Sequence, residues 1–336
     1  MHSIARPTGR TALALAATIG ALGLARKFAR DAHVPLAAAL PGTRETVATA
    51  QTGTVSYYAS PEGSGRPLLL IHSINAAGSA YETRPLYLHY RESRPVYALD
   101  LPGFGFSERS RRRYTPRLMA DAIHAVVASI RARHGGEAVD AMAISLSCSY
   151  LARACLARPA DYATLGLISP TGFDARLSGE GPVDGHRGRD LVRSLLDRRL
   201  LGPALFGALA SRVSIRFFLE KTFGATKIDE GLLDYAYATA HQPGAEHAPY
   251  CFIAGHLFPT DSTLLYDRLR LPVWMIHGQR GDFVDYRLAP RFADRRNWRI
   301  DTVPTGALPQ FERLRAVTDF YDGFLAAIRP AAADRR

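Results

Sequence analysis

The stretch ALDLPGFGFS, Ala98–Ser107, closes an apolar run and breaks at once into a turn. PVYALDL (95–101) has strand length and almost no polar interruption, the pattern of a strand buried on both faces. Gly103 and Gly105 allow the tight turn after it. These glycines do not open a helix after a strand with an acidic residue about 20 positions on, so dinucleotide binding is unsupported.

Similar runs flank this one. TVSYYAS (54–60) alternates, and EGSGRP (62–67) is a turn by its Gly and Pro. PLLLIHS (67–73), VDAMAI (139–144), ATLGLIS (163–169), PVWMIHG (272–278) and WRIDTVP (298–304) read as further strands. Helical spacing fills 115–136, which opens on Thr115 and Pro116 and closes on Gly135; a helix to about Arg158 and a closing helix over 311–328 follow the same logic. Strand and helix in alternation predict a mostly parallel central sheet with helices on both faces. From 171 to 261 the alternation stops and helical patterns take over. The expected organisation is an apolar N-terminal segment and linker (1–42), a core (52–170 and 262–330) and an inserted helical cap (171–261).

The chain has 336 residues and a formal net charge of +11, carried almost wholly by arginine. No zinc-finger spacing, RNA-binding aromatic signature or long basic tail accompanies that charge, so no nucleic-acid partner is expected. The densest basic run, RSRRRY (Arg109–Tyr114), reads as a solvated loop or a contact for phosphate or anionic lipid. Cys148, Cys155 and Cys251 form no disulfide framework. No metal-ligand spacing occurs, and no cofactor is expected.

The N-terminal run Thr11–Ala25 carries no charge, while Arg6, Arg10, Arg26, Lys27 and Arg30 flank it. It is shorter than the ~20 residues that span a bilayer. A membrane-surface anchor is the leading expectation, with a plain helix and a signal peptide as alternatives. The expected location is membrane-associated or cytoplasmic, ahead of secreted.

Over 52–328 the chain resembles the α/β-hydrolase superfamily. ALDLPGFGFS matches the loop after a central strand; LLLIHSINAAGS (68–79) falls at the oxyanion loop, PVWMIHGQRGDFVD (272–285) at the acid-bearing strand end and VPTGALPQFERL (303–314) at the histidine loop. The resemblance implies the α/β-hydrolase fold and a serine at the sharp strand-to-helix turn in DAMAISLSCSYLARA (140–154). Ser145 has the small residues Ala143 and Ser147 where such a turn needs them. Ser147 is the alternative nucleophile, and serines that merely cap a helix are the plain reading. The implied oxyanion donors are the amides of Leu146 and Ile74, although Ser73 stands where the family prefers glycine. The implied acid is Asp282, with Asp285 as alternative.

The histidine position is Ala307, and the nearby Gln310 cannot take a proton at neutral pH. Among the remaining histidines, His72 and His277 read as structural. His247, in the cap and next to a Pro-Gly turn, is the substitute base to test; the plain reading is a cap histidine bonded elsewhere. The expected function is a cofactor-free serine hydrolase acting on an ester, amide or similar bond of a small apolar substrate. The alternative is a catalytically silent hydrolase fold used for binding, because the triad histidine is missing.

Overall fold

In the computed structural model the described residues are 34–174, 181–182, 184–198, 201–283 and 285–328. The expected anchor at 11–25 lies outside them. Eight strands form one sheet: β1 Thr43–Thr49, β2 Gly53–Ser60, β3 Leu68–Ile71, β4 Val96–Leu99, β5 Val139–Ile144, β6 Tyr162–Ile168, β7 Val273–His277 and β8 Trp298–Thr302. Their order is β1-β2-β4-β3-β5-β6-β7-β8. β1 and β2 are antiparallel to their neighbours; β3 to β8 run parallel. All six parallel strands therefore deliver their C-terminal ends to one edge, where open α/β sheets place their sites.

Both faces of the sheet are covered, which is why the central strands read as unbroken apolar runs. Leu69, Ile71, Ala141, Ala143, Leu165, Leu167 and Met275 point to one face. There they meet α2 (Pro116–Arg133) and α3 (Ser147–Ala157). Their chain neighbours Leu70, Met142, Ile144, Ile168 and Trp274 point to the other, against α1 (Arg84–Tyr90) and a C-terminal helix. This period-2 division builds two hydrophobic layers from one sequence. As expected, Thr115 caps α2, its hydroxyl accepting from the Leu118 amide at 3.2 Å.

Between β6 and β7 the chain forms α4 (Asp190–Leu196), α5 (Leu201–Leu209), α6 (Arg212–Phe223), α7 (Glu230–Ala240), α8 (His247–Ile253) and α9 (Ser262–Arg268). Within this stretch α7 rests over the loops after β3 and β4, while α9 packs on α3. Tyr235 of α7 stacks on Tyr81 with ring centroids 4.9 Å apart. Arg109 donates to the Thr239 carbonyl and hydroxyl at 2.9 Å each. Arg109 is thus a strut between core and insertion, not part of a solvated basic run. The last elements are α10 (Pro290–Ala293), α11 (Pro309–Glu312) and α12 (Leu314–Ile328). The single closing helix expected over 311–328 is divided at Arg313, whose φ of −141° and ψ of 49° are not helical.

The turn after β4 is held by Asp100. Its carboxylate accepts from the Ala80 amide at 2.8 Å and the Phe106 amide at 3.0 Å. Gly105 has φ +51°, and a β-carbon there would land inside the Asp100 carboxyl group. Gly105→Ala should therefore cost about 3 kcal/mol, from left-handed strain plus loss of at least one of those charge-assisted bonds. A denaturant melt checks this; a loss below about 1 kcal/mol would mean the loop refolds around the methyl group.

Candidate active site

The turn after β5 is short because only two residues separate it from α3. Ile144 is the last strand residue and Ser147 the first helical one. The chain reverses through Ser145, at φ +56°, and Leu146, at φ −61° and ψ −30°. Left-handed backbone is uncommon for any residue with a β-carbon and marks stored strain. Ala143 and Ser147 are fully buried beside it, so larger residues there would collide with the core.

The three serines separate by their partners. Ser147 Oγ donates to the His72 carbonyl at 2.6 Å. Ser149 Oγ bonds Ser262 Oγ at 2.9 Å and Tyr266 OH at 3.1 Å. Ser145 is partly exposed, and its hydroxyl has no hydrogen-bond partner among the described residues. Cys148 cannot compete as a nucleophile: it is fully buried, and burial pushes its thiol far above the usual range.

The loop after β3 is fixed from below. Leu101 N–H donates to His72 Nε2 at 3.0 Å, which leaves the proton on Nδ1, 2.6 Å from the Ser73 carbonyl. Burial pushes His72 down to about 4, so it stays neutral and structural. Buried Glu82 accepts from the Ser73 amide at 2.7 Å and from Asn75 Nδ2 at 2.8 Å. Gln310 Nε2 donates to the Glu82 carbonyl at 3.1 Å. Ser73 is accommodated where glycine was expected, and the Ile74 amide beyond it is left without an acceptor. The Leu146 amide is likewise unengaged among the described residues. Two N–H groups thus stand without an acceptor among the described residues, one on the loop after β3 and one directly after Ser145.

The segments after β7 and β8 meet each other. A β-carbon on Gly278 would strike the backbone of Thr305 and Gly306, so the segments after β7 and β8 are in direct contact. Asp282 is more than half exposed and faces Lys221 Nζ at 3.3 Å. Asp285 pairs with Arg287 at 2.7 Å. Ala307 is buried, its amide bonded to the Thr222 carbonyl at 2.8 Å. Gln310 is fully buried with Oε1 unpartnered.

The other histidines have their own surroundings. His247 opens α8, its Nε2 3.9 Å from Glu246 Oε1 and its Nδ1 buried without a partner. Burial, with Arg193 and Arg111 nearby, lowers its pKa. His241 lies on Tyr237 with centroids 4.0 Å apart. His277 stacks on Tyr286 at 3.9 Å. Among the described residues no group of three or more His, Cys, Asp or Glu could hold a metal ion.

Sequence reasoning passed over Glu82, Asn75 and Ser169. Glu82 carries no motif around it. Ser169, with φ +47° and an unpartnered buried hydroxyl, follows β6 directly after Ile168, whose carbonyl accepts from the Ser145 amide at 2.8 Å. Only tertiary contact reveals either role.

A family model described as the alpha/beta hydrolase family matches residues 68–320. Solved structures share the fold. An epoxide hydrolase, CorEH, aligns at TM-score 0.65 and 19% identity, over 85% of this chain and 99% of its own. A membrane phospholipase A, described as a bacterial virulence factor, aligns at 0.62 and 19%, over 96% and 98%. The carboxylesterase CesB from Bacillus subtilis aligns at 0.62 and 17%, over 91% and 98%. Comparison with curated proteins returns no match.

Proposed function

The chain belongs to the α/β hydrolase family, and on that premise we propose that it is a cofactor-free serine hydrolase with Ser145 as nucleophile. The observation that carries this reading is the strained Ser145, at φ +56° and without a hydrogen-bond partner among the described residues, followed at once by the unengaged Leu146 amide. Natural turns do not hold a serine in that conformation cheaply. The substrate is a small apolar ester, amide or similar acyl compound.

The chemistry follows from the atoms. Ser145 Oγ attacks the acyl carbon and loses its proton. The carbonyl oxygen becomes an oxyanion held by the Ile74 and Leu146 amides, which donate nowhere else among the described residues. Collapse breaks the bond to the leaving group, which takes a proton, and water then cleaves the acyl-serine. His247 is the proton acceptor in this reading, although its described neighbours are Glu246, Arg193 and Arg111 and not Ser145. Its lowered pKa keeps the imidazole neutral at pH 7. Asp282, beside Lys221, has no imidazole to orient, so the route is slower than that of a complete triad.

The second reading is a binding protein without turnover. Ala307 at the histidine position and the Asp282–Lys221 pairing favour it. Fluorophosphonate labelling of the intact chain, followed by mass spectrometry of the modified peptide, separates the two. We expect the label on Ser145, and at least tenfold slower labelling in His247→Gln. Absence of any label puts the binding reading first. A label with unchanged rate in His247→Gln keeps Ser145 and removes His247.

A further inference from the structure

Seven of the ten exposed large apolar side chains among the described residues fall between Leu191 and Phe218. They are not scattered. Each of the three successive helices α4, α5 and α6 carries an exposed pair at i,i+4: Leu191 with Leu195, Leu201 with Leu205, and Val213 with Phe217. Residues four apart share a helix face. Each helix also has an inner face, with Leu196, Phe206 and Ile215 buried. These helices are thus apolar on two sides, where a surface helix of a water-bathed protein is apolar on one.

α5 is the extreme case. LGPALFGAL (201–209) contains no charged or hydrogen-bonding side chain. Gly202, Phe206 and Gly207 face inward, while Leu201, Leu205 and Ala208 face out. On α6 the outward Val213 is 81% exposed and Phe217 53%. Lys221 Nζ lies 5.8 Å from the Phe217 ring. α5 packs on both α4 and α6.

Charge selects what covers this face. The segment 187–221 contains eight Arg or Lys residues against three Asp or Glu; Arg212, Arg216 and Lys221, around Val213 and Phe217, also face Asp234, Glu230 and Asp282, in exposed pairs worth at most about 1 kcal/mol each. Apolar stripes bordered by Arg and Lys suit the boundary between headgroups and acyl chains of an anionic membrane. The attachment of the chain's N-terminal part agrees. The Val34 carbonyl accepts from Gln242 Nε2 at 2.7 Å and the Ala37 carbonyl from Tyr235 OH at 2.9 Å. The described chain therefore begins against α7, which packs on α6. The uncharged run Thr11–Ala25 ends nine residues before Val34, a reach of about 30 Å at full extension.

We propose that the outer face of α4–α6, centred on Leu201, Leu205, Val213 and Phe217, docks on an anionic phospholipid surface. The insertion then holds the C-terminal edge of the sheet, and with it Ser145, facing the bilayer. A substrate dissolved in the acyl region would reach the site without crossing bulk water. The proposal stands whether or not Ser145 is catalytic.

The test uses the full chain with Phe217→Trp and vesicles of phosphatidylglycerol mixed with phosphatidylcholine. Trp274 and Trp298 are buried, so the new indole reports its own surroundings. We expect its emission to shift to the blue on vesicles and to be quenched by brominated acyl chains, more with phosphatidylglycerol than with phosphatidylcholine alone. In the full chain with Val213→Glu and Phe217→Glu, partitioning to these vesicles should fall roughly tenfold or more. Circular dichroism confirms that both variants fold. If the introduced indole stays unshifted and unquenched on vesicle-bound protein, the proposal is overturned, because binding then runs through another segment. Failure to bind vesicles overturns it too. A blue-shifted indole without lipid also overturns it: concentration-dependent self-association then assigns the face to a second copy, and its absence assigns the face to the chain's own N-terminal part.

Discussion

Ser145→Gly should give a protein that melts higher and labels not at all. At φ +56° the serine β-carbon crowds its own backbone, a cost of about 1 kcal/mol or more that glycine does not carry. Glycine also loosens the unfolded chain, which offsets part of the gain. The net effect is about 0.5–1 kcal/mol of added stability, a rise of roughly 1–3 °C in melting temperature for a chain of this size. No hydrogen bond is lost, because the Ser145 hydroxyl has no partner among the described residues, and the Ser145 amide keeps its bond to the Ile168 carbonyl at 2.8 Å. Removing a nucleophile typically costs on the order of 10⁴–10⁶ in turnover. Ser147→Ala should behave oppositely. It deletes a buried hydroxyl bonded to the His72 carbonyl, so stability falls by about 1 kcal/mol while labelling persists. A lower melting point in Ser145→Gly together with persistent labelling would sink the elbow assignment.

That contrast was only half legible beforehand. The small residues around Ser145 favour it over Ser147 in the sequence, and the positive φ falls at Ser145. The parallel strands were legible because burial on both faces leaves almost no polar residue in them. β1 was not: TRETVAT is exposed or half-exposed throughout, and only antiparallel pairing with β2 makes it a strand. α1 was missed because RPLYLHY is seven residues long and its helical period has too few repeats to register. Glu82 and Asn75 sit in a loop without a signature. Their role exists only once the Ser73 amide and Gln310 are brought to them by the fold, Gln310 from the far end of the chain.

Ala307→His should convert this site towards a triad, with hydrolysis of a short acyl ester rising roughly 10²-fold. A complete triad contributes on the order of 10⁴ or more over the oxyanion hole and binding alone, but the surroundings of residue 307 are not shaped to hold an imidazole. The neighbouring parts are present. The segments after β7 and β8 touch through Gly278 and Gly306, so Asp282 is carried on the loop adjoining residue 307. Its partner is an exposed Lys221 at 3.3 Å, a pairing worth at most about 1 kcal/mol, so a new imidazole can recruit the carboxylate. Residue 307 is buried, and the larger ring should cost about 1–3 kcal/mol of stability; a melt shows whether the variant folds. Ala307→Asn supplies similar polarity without a titratable nitrogen and should gain nothing. An imidazole accepts the Ser145 proton only when neutral. The gained activity must therefore disappear as pH falls through a midpoint near about 6.5 and hold above it. It must also vanish in the Ser145→Ala, Ala307→His double variant, because the ring acts through the serine. A folded Ala307→His protein with no gain on any ester, beside a parent that takes no fluorophosphonate label, would mean that residue 307 does not face the elbow and that the fold serves binding.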